Sequence, residues 1–211
     1  MKTDDLITAL IADRRTAPPP VTTFWRWMVA SVAIAAIALL ATAGVRADFA
    51  VAAVSPRVLF KLLLAAGLIV AAAGAVLRLG RPGARLGGWL TGLLAMPCLL
   101  ALGVGIELLV LPSDLWIAQA RGVNATWCLR MIPLFAAAPL VACLAVLHQA
   151  APTRPVLGGA AAGLLAGAIG AGVYALHCTD DSPLFVATWY SLAVLSVTAL
   201  GAIAGSRILR W

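Results

Sequence analysis

Two stretches of the sequence place a thiol where it could bind a metal ion or take part in redox chemistry. His177, Cys178, Asp180 and Asp181 lie within five positions of one another between two strongly apolar runs, and Cys128 lies at the start of another such run. Thiolates bind soft and borderline metal ions, and two thiols that meet in an oxidising compartment can form a disulfide. If the fold brings them together, Cys128 and Cys178 form a candidate sensor pair with His177, Asp180 and Asp181 as auxiliary metal ligands. A structural disulfide and a chance arrangement are the alternatives.

The other two cysteines, Cys98 and Cys143, lie inside apolar runs among Leu, Ala and Met residues. A free thiol in such surroundings packs as a small hydrophobic side chain. None of the four cysteines has the CxxC or Cys/His spacing of a structural zinc site. We therefore expect packing roles for these two residues, and no required cofactor beyond a heavy-metal ion bound transiently at the candidate pair.

The elements that must position these thiols are membrane helices. Hydrophobic residues make up 63% of the chain and charged residues 11%, too few charges for the surface of a soluble protein. Six runs are each close to the ~20 residues that a helix needs to cross a bilayer, and they are apolar on every face, unlike the alternating strands of a membrane barrel. The sequence therefore predicts an all-α, polytopic bundle of six transmembrane helices. The runs cover approximately residues 25–44, 58–77, 89–111, 129–147, 157–176 and 184–203.

The basic residues predict how the helices cross the membrane. An even number of spans puts both chain ends on one side, and ten of the fifteen Lys and Arg residues then fall on that side. Because basic residues accumulate in cytoplasmic connections, we expect both termini in the cytoplasm and both Cys128 and Cys178 on the outer face. This topology accounts for the net charge of +7. The basic residues form no patch interleaved with aromatic residues, so we expect no direct contact with nucleic acid.

A short amphipathic segment precedes the first span. Residues 3–15 place four aliphatic side chains on one helical face, with acidic residues in the first turn and arginines in the last, as the helix dipole favours. A helix of ~13 residues is marginal alone, so we expect it to bind a groove on another protein. A disordered tail and a helix lying on lipid are the alternatives. We divide the chain into a partner-binding segment, 1–23, and a transmembrane domain, 24–211. The residues expected to contact the partner are Asp4, Leu6, Ile7, Leu10 and Ile11.

Glu107 is the one acidic residue inside a predicted span, near its outer end. Such residues are functional candidates because a charge inside a bilayer is costly. The alternative is a structural ion pair with Arg130, Arg121 or Lys61, which are all expected near the same boundary. Proton-coupled transport usually needs several titratable groups at the membrane midplane, so Glu107 by itself gives a transporter little support.

Five segments of the chain carry a family resemblance: MKTDDLI at 1–7, CLRMIP at 128–133, APTRP at 151–155, YALHCTDDSP at 174–183 and the pair Trp189 and Tyr190. Together they resemble the NrsF-type family of bacterial inner-membrane anti-sigma factors, which have six spans. The resemblance implies a protein that holds an extracytoplasmic-function sigma factor at the inner membrane. It also implies that Cys128 and Cys178 govern release of the sigma factor under heavy-metal or oxidative stress, and it gives no sensing role to Cys98 or Cys143.

Two functions of other classes stay open at this point. A metal or small-solute permease is the first, and it should move its solute without residues 1–20. A membrane thiol oxidoreductase is the second, and it would be expected to carry a CxxC-type pair and a quinone pocket. On the resemblance described above, we predict a regulatory protein that is not an enzyme, with a sigma factor and membrane lipid as its partners.

Overall fold

The computed structural model describes residue 3, residues 20–81, residue 83 and residues 85–210. Within those residues the chain forms eight helices and no strand. The helices are α1 Pro20–Thr42, α2 Phe49–Ala52, α3 Pro56–Leu79, α4 Gly88–Val110, α5 Trp116–Arg121, α6 Ala125–Ala150, α7 Pro155–Ala175 and α8 Pro183–Ile208. The predicted partner-contacting residues, Asp4, Leu6, Ile7, Leu10 and Ile11, lie outside the described residues.

Six of these helices are long and apolar enough to cross a membrane, which confirms the all-α fold and the number of spans. They are α1, α3, α4, α6, α7 and α8. Most helix ends differ by a few residues from the ends of the predicted apolar runs, because the helices continue into less apolar sequence. Helix α6 begins at Ala125, so Cys128 lies in its first turn. Helix α7 ends at Ala175, so Cys178 lies in the connection that follows it.

Helix α7 is the centre of the bundle and packs against α8, α6 and α3. Its small residues allow this packing. A Cβ atom at Gly159 would overlap the carbonyl oxygen of Gly201 in α8, and one at Gly170 would overlap the carbonyl oxygen of Ile132 in α6. In a membrane, where lipid removes the hydrophobic driving force between helices, such close backbone approach is a main source of association. The position of α7 thus fixes α6 and α8 relative to each other.

The two ends of the bundle differ in composition. At the terminal end, Phe24 of α1, Leu147 of α6 and Leu209 after α8 share one buried cluster, which brings the first and last spans together as six crossings require. At the opposite end, called the thiol end here, three connections meet: residues 43–55, 111–124 and 176–182. The thiol end holds most of the polar contacts described below.

Candidate functional site

The fold brings Cys128 and Cys178 into one buried cluster at the thiol end. Both are free thiols with no exposed surface. One comes from the first turn of α6 and the other from the connection after α7, so the hairpin of these two helices is what brings them together. The other cysteines lie elsewhere. Cys98 is exposed on α4, and the buried sulfur of Cys143 contacts Met28 Sδ at 3.7 Å.

Two of the three predicted auxiliary ligands bind neighbouring backbone. His177 Nδ1 lies 3.1 Å from the carbonyl oxygen of Gly44, so this nitrogen carries a proton and donates it. The carboxylate of Asp180 accepts hydrogen bonds from the backbone N–H groups of Val123, at 3.1 Å, and Asn124, at 2.8 Å. These N–H groups lie just before α6, where a negative charge is favoured. The connection that carries Cys178 is thereby bonded to the start of the helix that carries Cys128.

The third auxiliary residue, Asp181, belongs to a buried ion-pair network. Lys61, whose side chain is 1% exposed, donates a hydrogen bond to Oδ1 of Asp181. The same ammonium donates to the carbonyl oxygens of Cys178, at 3.1 Å, and Asp180, at 3.3 Å. Arg46 donates to Oδ2 of Asp181 at 2.7 Å. A charge out of contact with water is tolerated when it is paired and hydrogen-bonded, and here the pairing holds the backbone of Cys178 in place.

At the predicted metal site the two cysteines share one buried cluster, and the three auxiliary groups each have other partners. Within the described part of the chain, no three His, Cys, Asp or Glu side chains converge as metal ligands. The roles of His177, Asp180 and Asp181 as ligands stay predictions. Their observed contacts all serve to hold the connection at residues 176–182 against the rest of the bundle.

Charges at the thiol end shift the proton affinities of groups in the connections. Arg46 binds both carboxylate oxygens of Asp48, at 2.7 and 2.8 Å. This hydrogen bonding lowers the pKa of Asp48 and raises the pKa of Arg46 above its usual value. Burial raises the pKa of the Cys178 thiol, while the charge of Lys61 and a hydrogen bond to the Asp180 backbone act in the opposite direction. Cys178 is therefore a neutral thiol at neutral pH, and its reactions require loss of a proton.

Glu107 binds the start of α8. Its Oε2 accepts hydrogen bonds from the Ser182 hydroxyl, at 2.7 Å, and from the Leu184 N–H, at 3.0 Å. The guanidinium of Arg57 lies 3.0 Å from Oε1 and forms an ion pair with it. The acid thus joins α4 to both α3 and α8 at the thiol end, which is a structural contact.

The partner of Glu107 is not one of those expected from the sequence. Pairing with Arg130, Arg121 or Lys61 is wrong, because α4 packs mainly against α3, the helix that carries Arg57. Lys61 lies one turn further along α3, inside the bundle, and binds the connection at 176–182 instead. Sequence reasoning counted Lys61 only as a boundary charge. The position of Lys61 could have indicated its role, because it lies inside an apolar run, where a lysine needs a buried counter-ion.

The sequence matches known proteins over a range that includes every residue of the site described above. Residues 10–211 match the sequence model of the NrsF family, described as negative regulator of sigma F. The probable anti-sigma-F factor NrsF of Azospira oryzae is 36% identical over 220 residues, which cover 100% of both chains. The anti-sigma-F factor NrsF of Caulobacter vibrioides is 35% identical over 217 residues, again 100% of both chains. No solved structure matches this chain significantly. The chain therefore belongs to the NrsF family of negative regulators of sigma F, whose role is regulatory.

Proposed function

We propose that the protein is a membrane-bound anti-sigma factor that sequesters an extracytoplasmic-function sigma factor and releases it when Cys128 and Cys178 react under heavy-metal or oxidative stress. Family membership supports the anti-sigma activity, since both relatives are named anti-sigma-F factors. The observation that carries the sensing part is the buried cluster in which the two thiols meet. They come from different elements, so a bond through both would tie α6 to the connection after α7.

The proposed orientation puts the terminal end in the cytoplasm and the thiol end outside the bacterial inner membrane. The excess of Lys and Arg on the side of the chain ends supports it. In this orientation the amphipathic segment at 1–23 is available to a cytoplasmic sigma factor. The binding residues proposed for that segment are Asp4, Leu6, Ile7, Leu10 and Ile11.

Two states of the bundle are needed for release, one that binds the sigma factor and one that does not. The reacting metal ion or oxidant must favour the second state. A metal ion bound by both thiolates, or a disulfide between them, would change how α6 and α7 lie against each other at the thiol end. Because α7 also packs closely on α8, a shift there can reach the terminal end through rigid helices. A ligand that binds the released state a thousandfold more tightly supplies about 4 kcal/mol toward it, enough to offset a good helix anchor.

Serine substitution of the cysteines tests the sensing part. Cys128→Ser, Cys178→Ser and the double variant should each keep the protein in the membrane and keep repression, because serine preserves the size of the side chain. All three should lose induction of sigma-dependent transcription by cadmium or by an oxidant. Cys143→Ser, a buried cysteine outside the pair, is the matched control and should respond as wild type. Normal induction in the double variant would overturn the sensing proposal.

Charge substitution in the first residues tests the partner part. Leu6→Asp or Leu10→Asp should give constitutive sigma-dependent transcription, since an aspartate on the apolar face loses buried area and adds an unpaired charge. Loss of one such anchor costs ~2 kcal/mol, about 30-fold in affinity. Ala12→Asp, which helical periodicity puts on the opposite face, should still repress. If both leucine variants still repress, the sigma factor binds elsewhere, and the connection near residues 78–85 becomes the candidate binding surface.

A further inference from the structure

A large apolar cavity lies between helices α3, α4, α7 and α8. Its volume is about 290 Å³, whereas closely packed protein interiors leave few voids larger than a water molecule. The side chains that line it are mostly aliphatic and include Leu68 of α3, Leu93 and Leu100 of α4, Ala168 of α7 and Val194 of α8. A cavity with such walls excludes water and takes up apolar molecules.

The cavity is open toward the membrane because α4 and α8 diverge. Helix α4 packs along α3, and its contacts with α8 are mainly with residues 183–190, the first residues of that helix. Further from the thiol end the two helices separate, and the cavity occupies the space between them. All four lining helices are long and apolar enough to cross a membrane, so this space faces hydrocarbon chains. A chain that enters it restores the dispersion attraction that an empty space would lose.

A half-exposed cation lies at the thiol end of the same space. Arg57 is in the first turn of α3, and its side chain is 52% exposed. It lies one turn before Lys61, which lines the cavity, so Arg57 continues the lining face of α3. Its ion-pair partner Glu107 lies two helical turns after Leu100, on the lining face of α4. The apolar cavity is therefore bounded by a charged pair where the helices reach the membrane boundary.

Arg57 is the cation at this place that can bind an anionic ligand. Lys61 is 1% exposed and already donates to three oxygen atoms of the connection at 176–182. Among the described residues, the guanidinium of Arg57 has one partner, Oε1 of Glu107, which lies 3.0 Å from its Nη2. A guanidinium carries several N–H donors in a planar fork that matches the geometry of a phosphate. The remaining donors of Arg57 can therefore bind a phosphate at the membrane boundary.

A polar cavity beside Arg57 has room for the rest of a lipid headgroup. Its volume is about 490 Å³, and its lining includes Ser55, Arg57, Gln119 and Asp180. Asp181 also lines it but is paired with two cations. The carboxylate of Asp180 is bound by N–H groups and forms no ion pair within the described part of the chain. An ammonium group would be attracted to this carboxylate, whereas a headgroup with only negative charge would be repelled by it.

We propose that this space binds one membrane phospholipid with an ammonium-bearing headgroup, of the phosphatidylethanolamine type. Its phosphate lies at Arg57, its ammonium group lies near Asp180, and one acyl chain occupies the apolar cavity between α4 and α8. The protein surface changes from polar to charged to apolar in the same order as the parts of such a lipid. A helix of a second copy could fill the apolar part but offers no anion to Arg57. The lipid site does not depend on the proposed function.

Native mass spectrometry of the full-length protein in detergent tests the site without any substitution. Phosphatidylethanolamine, phosphatidylglycerol and diacylglycerol that carry the same two acyl chains are added in turn. We expect the protein to retain one phosphatidylethanolamine, bound about tenfold more tightly than diacylglycerol, which lacks the phosphate. Phosphatidylglycerol should also bind more weakly, because it lacks the ammonium group. Equal binding of the three lipids would overturn the inference.

Two substitutions act on different parts of the site. Arg57→Gln should weaken binding of phosphatidylethanolamine about tenfold and leave diacylglycerol unaffected, because it removes only the contact with phosphate. Ala65→Leu should weaken binding of both lipids, because its larger side chain fills the apolar cavity. The matched controls are Arg130→Gln, at another exposed arginine of the thiol end, and Ala66→Leu, on an exposed face of α3. Both controls should bind lipid as wild type does.

The same spectra separate a lipid from a second copy of the chain. If the protein forms dimers without retained lipid and Ala65→Leu abolishes them, the cavity is an interface between copies and the inference is wrong. Wild-type binding of phosphatidylethanolamine by both Arg57→Gln and Ala65→Leu would also contradict it. Should either variant fail to fold, the comparison of the three lipids on the wild type decides.

Discussion

The buried pair of Lys61 and Asp181 offers the sharpest test of how the thiol end is held. Asp181→Asn keeps the shape of the side chain but leaves Lys61, 1% exposed, without the charge that faces it. Breaking one partner of a buried ion pair costs about 3 kcal/mol at the low end. The same ammonium holds the carbonyl oxygens of Cys178 and Asp180, so this cost falls on the connection at 176–182.

A change of ~3 kcal/mol in local opening corresponds to about a 100-fold change in the open population. Cys178 is fully buried in the closed state, so its reaction with a maleimide reports that population when reclosing is faster than modification. We expect Asp181→Asn to speed modification of Cys178 about 100-fold at constant pH, measured by peptide mass spectrometry on membrane vesicles. The free energy of unfolding of the whole bundle should change by less than the ~3 kcal/mol expected for local opening of the connection.

Asp48→Asn is the matched control, because Asp48 binds the same arginine but its side chain is 59% exposed. An ion pair exposed to water contributes little to stability, so this variant should speed the reaction far less than Asp181→Asn does. If Asp181→Asn reacts at the wild-type rate, or if Asp48→Asn reacts as fast as Asp181→Asn, the buried pair does not hold the connection and the reasoning is refuted.

Three more predictions follow from the geometry. The rate of Cys178 alkylation in the wild type should keep rising well beyond pH ~8.5, the usual thiol pKa, since burial raises the pKa of this thiol and so lowers its thiolate fraction at neutral pH. Gly122→Ala should lower thermal stability more than Gly44→Ala. Both glycines have positive φ, but a Cβ at Gly122 would overlap the Phe185 ring, whereas one at Gly44 meets nothing. We therefore expect a loss of stability of about 3 kcal/mol for Gly122→Ala and about 1 kcal/mol for Gly44→Ala. Gly159→Leu should separate α7 from α8 and abolish a stable fold in detergent, whereas Gly105→Leu, in open space on α4, should melt as wild type does.

The membrane helices could be predicted from the sequence because the condition that creates them is local. A run of ~20 apolar residues satisfies its own backbone hydrogen bonds as a helix and needs no particular neighbour to be stable in lipid. The ends of the helices differ from the ends of the apolar runs. Helix α6 starts at Ala125, ahead of its predicted run, because a helix can continue into less apolar sequence at the membrane boundary.

That Cys128 and Cys178 lie at the same end could also be predicted, because they flank the open end of the hairpin that the fourth and fifth spans form, and the structure brings them into one buried cluster. The residues that surround the two cysteines could not be predicted from the sequence. The tyrosines that share the buried cluster with the two cysteines lie in α7 and α8, and Tyr190 ends a π-helical turn that no simple periodicity indicates. Asp180 binds the start of α6 and Asp181 binds cations of other elements, contacts that adjacency in the sequence did not indicate, and their role as metal ligands stays a prediction.

The sequence by itself determined the number of long apolar helices, the end of the bundle at which the thiols lie and the excess of basic residues at the other end, since these depend on composition and order along the chain. Only the tertiary structure decided which charges pair. Arg46 and Asp181 are 135 positions apart and Lys61 and Asp181 are 120 apart, yet they form one network. The physical reason is desolvation: a charge removed from water is stable only beside a specific counter-charge, and helix packing selects which one is within reach.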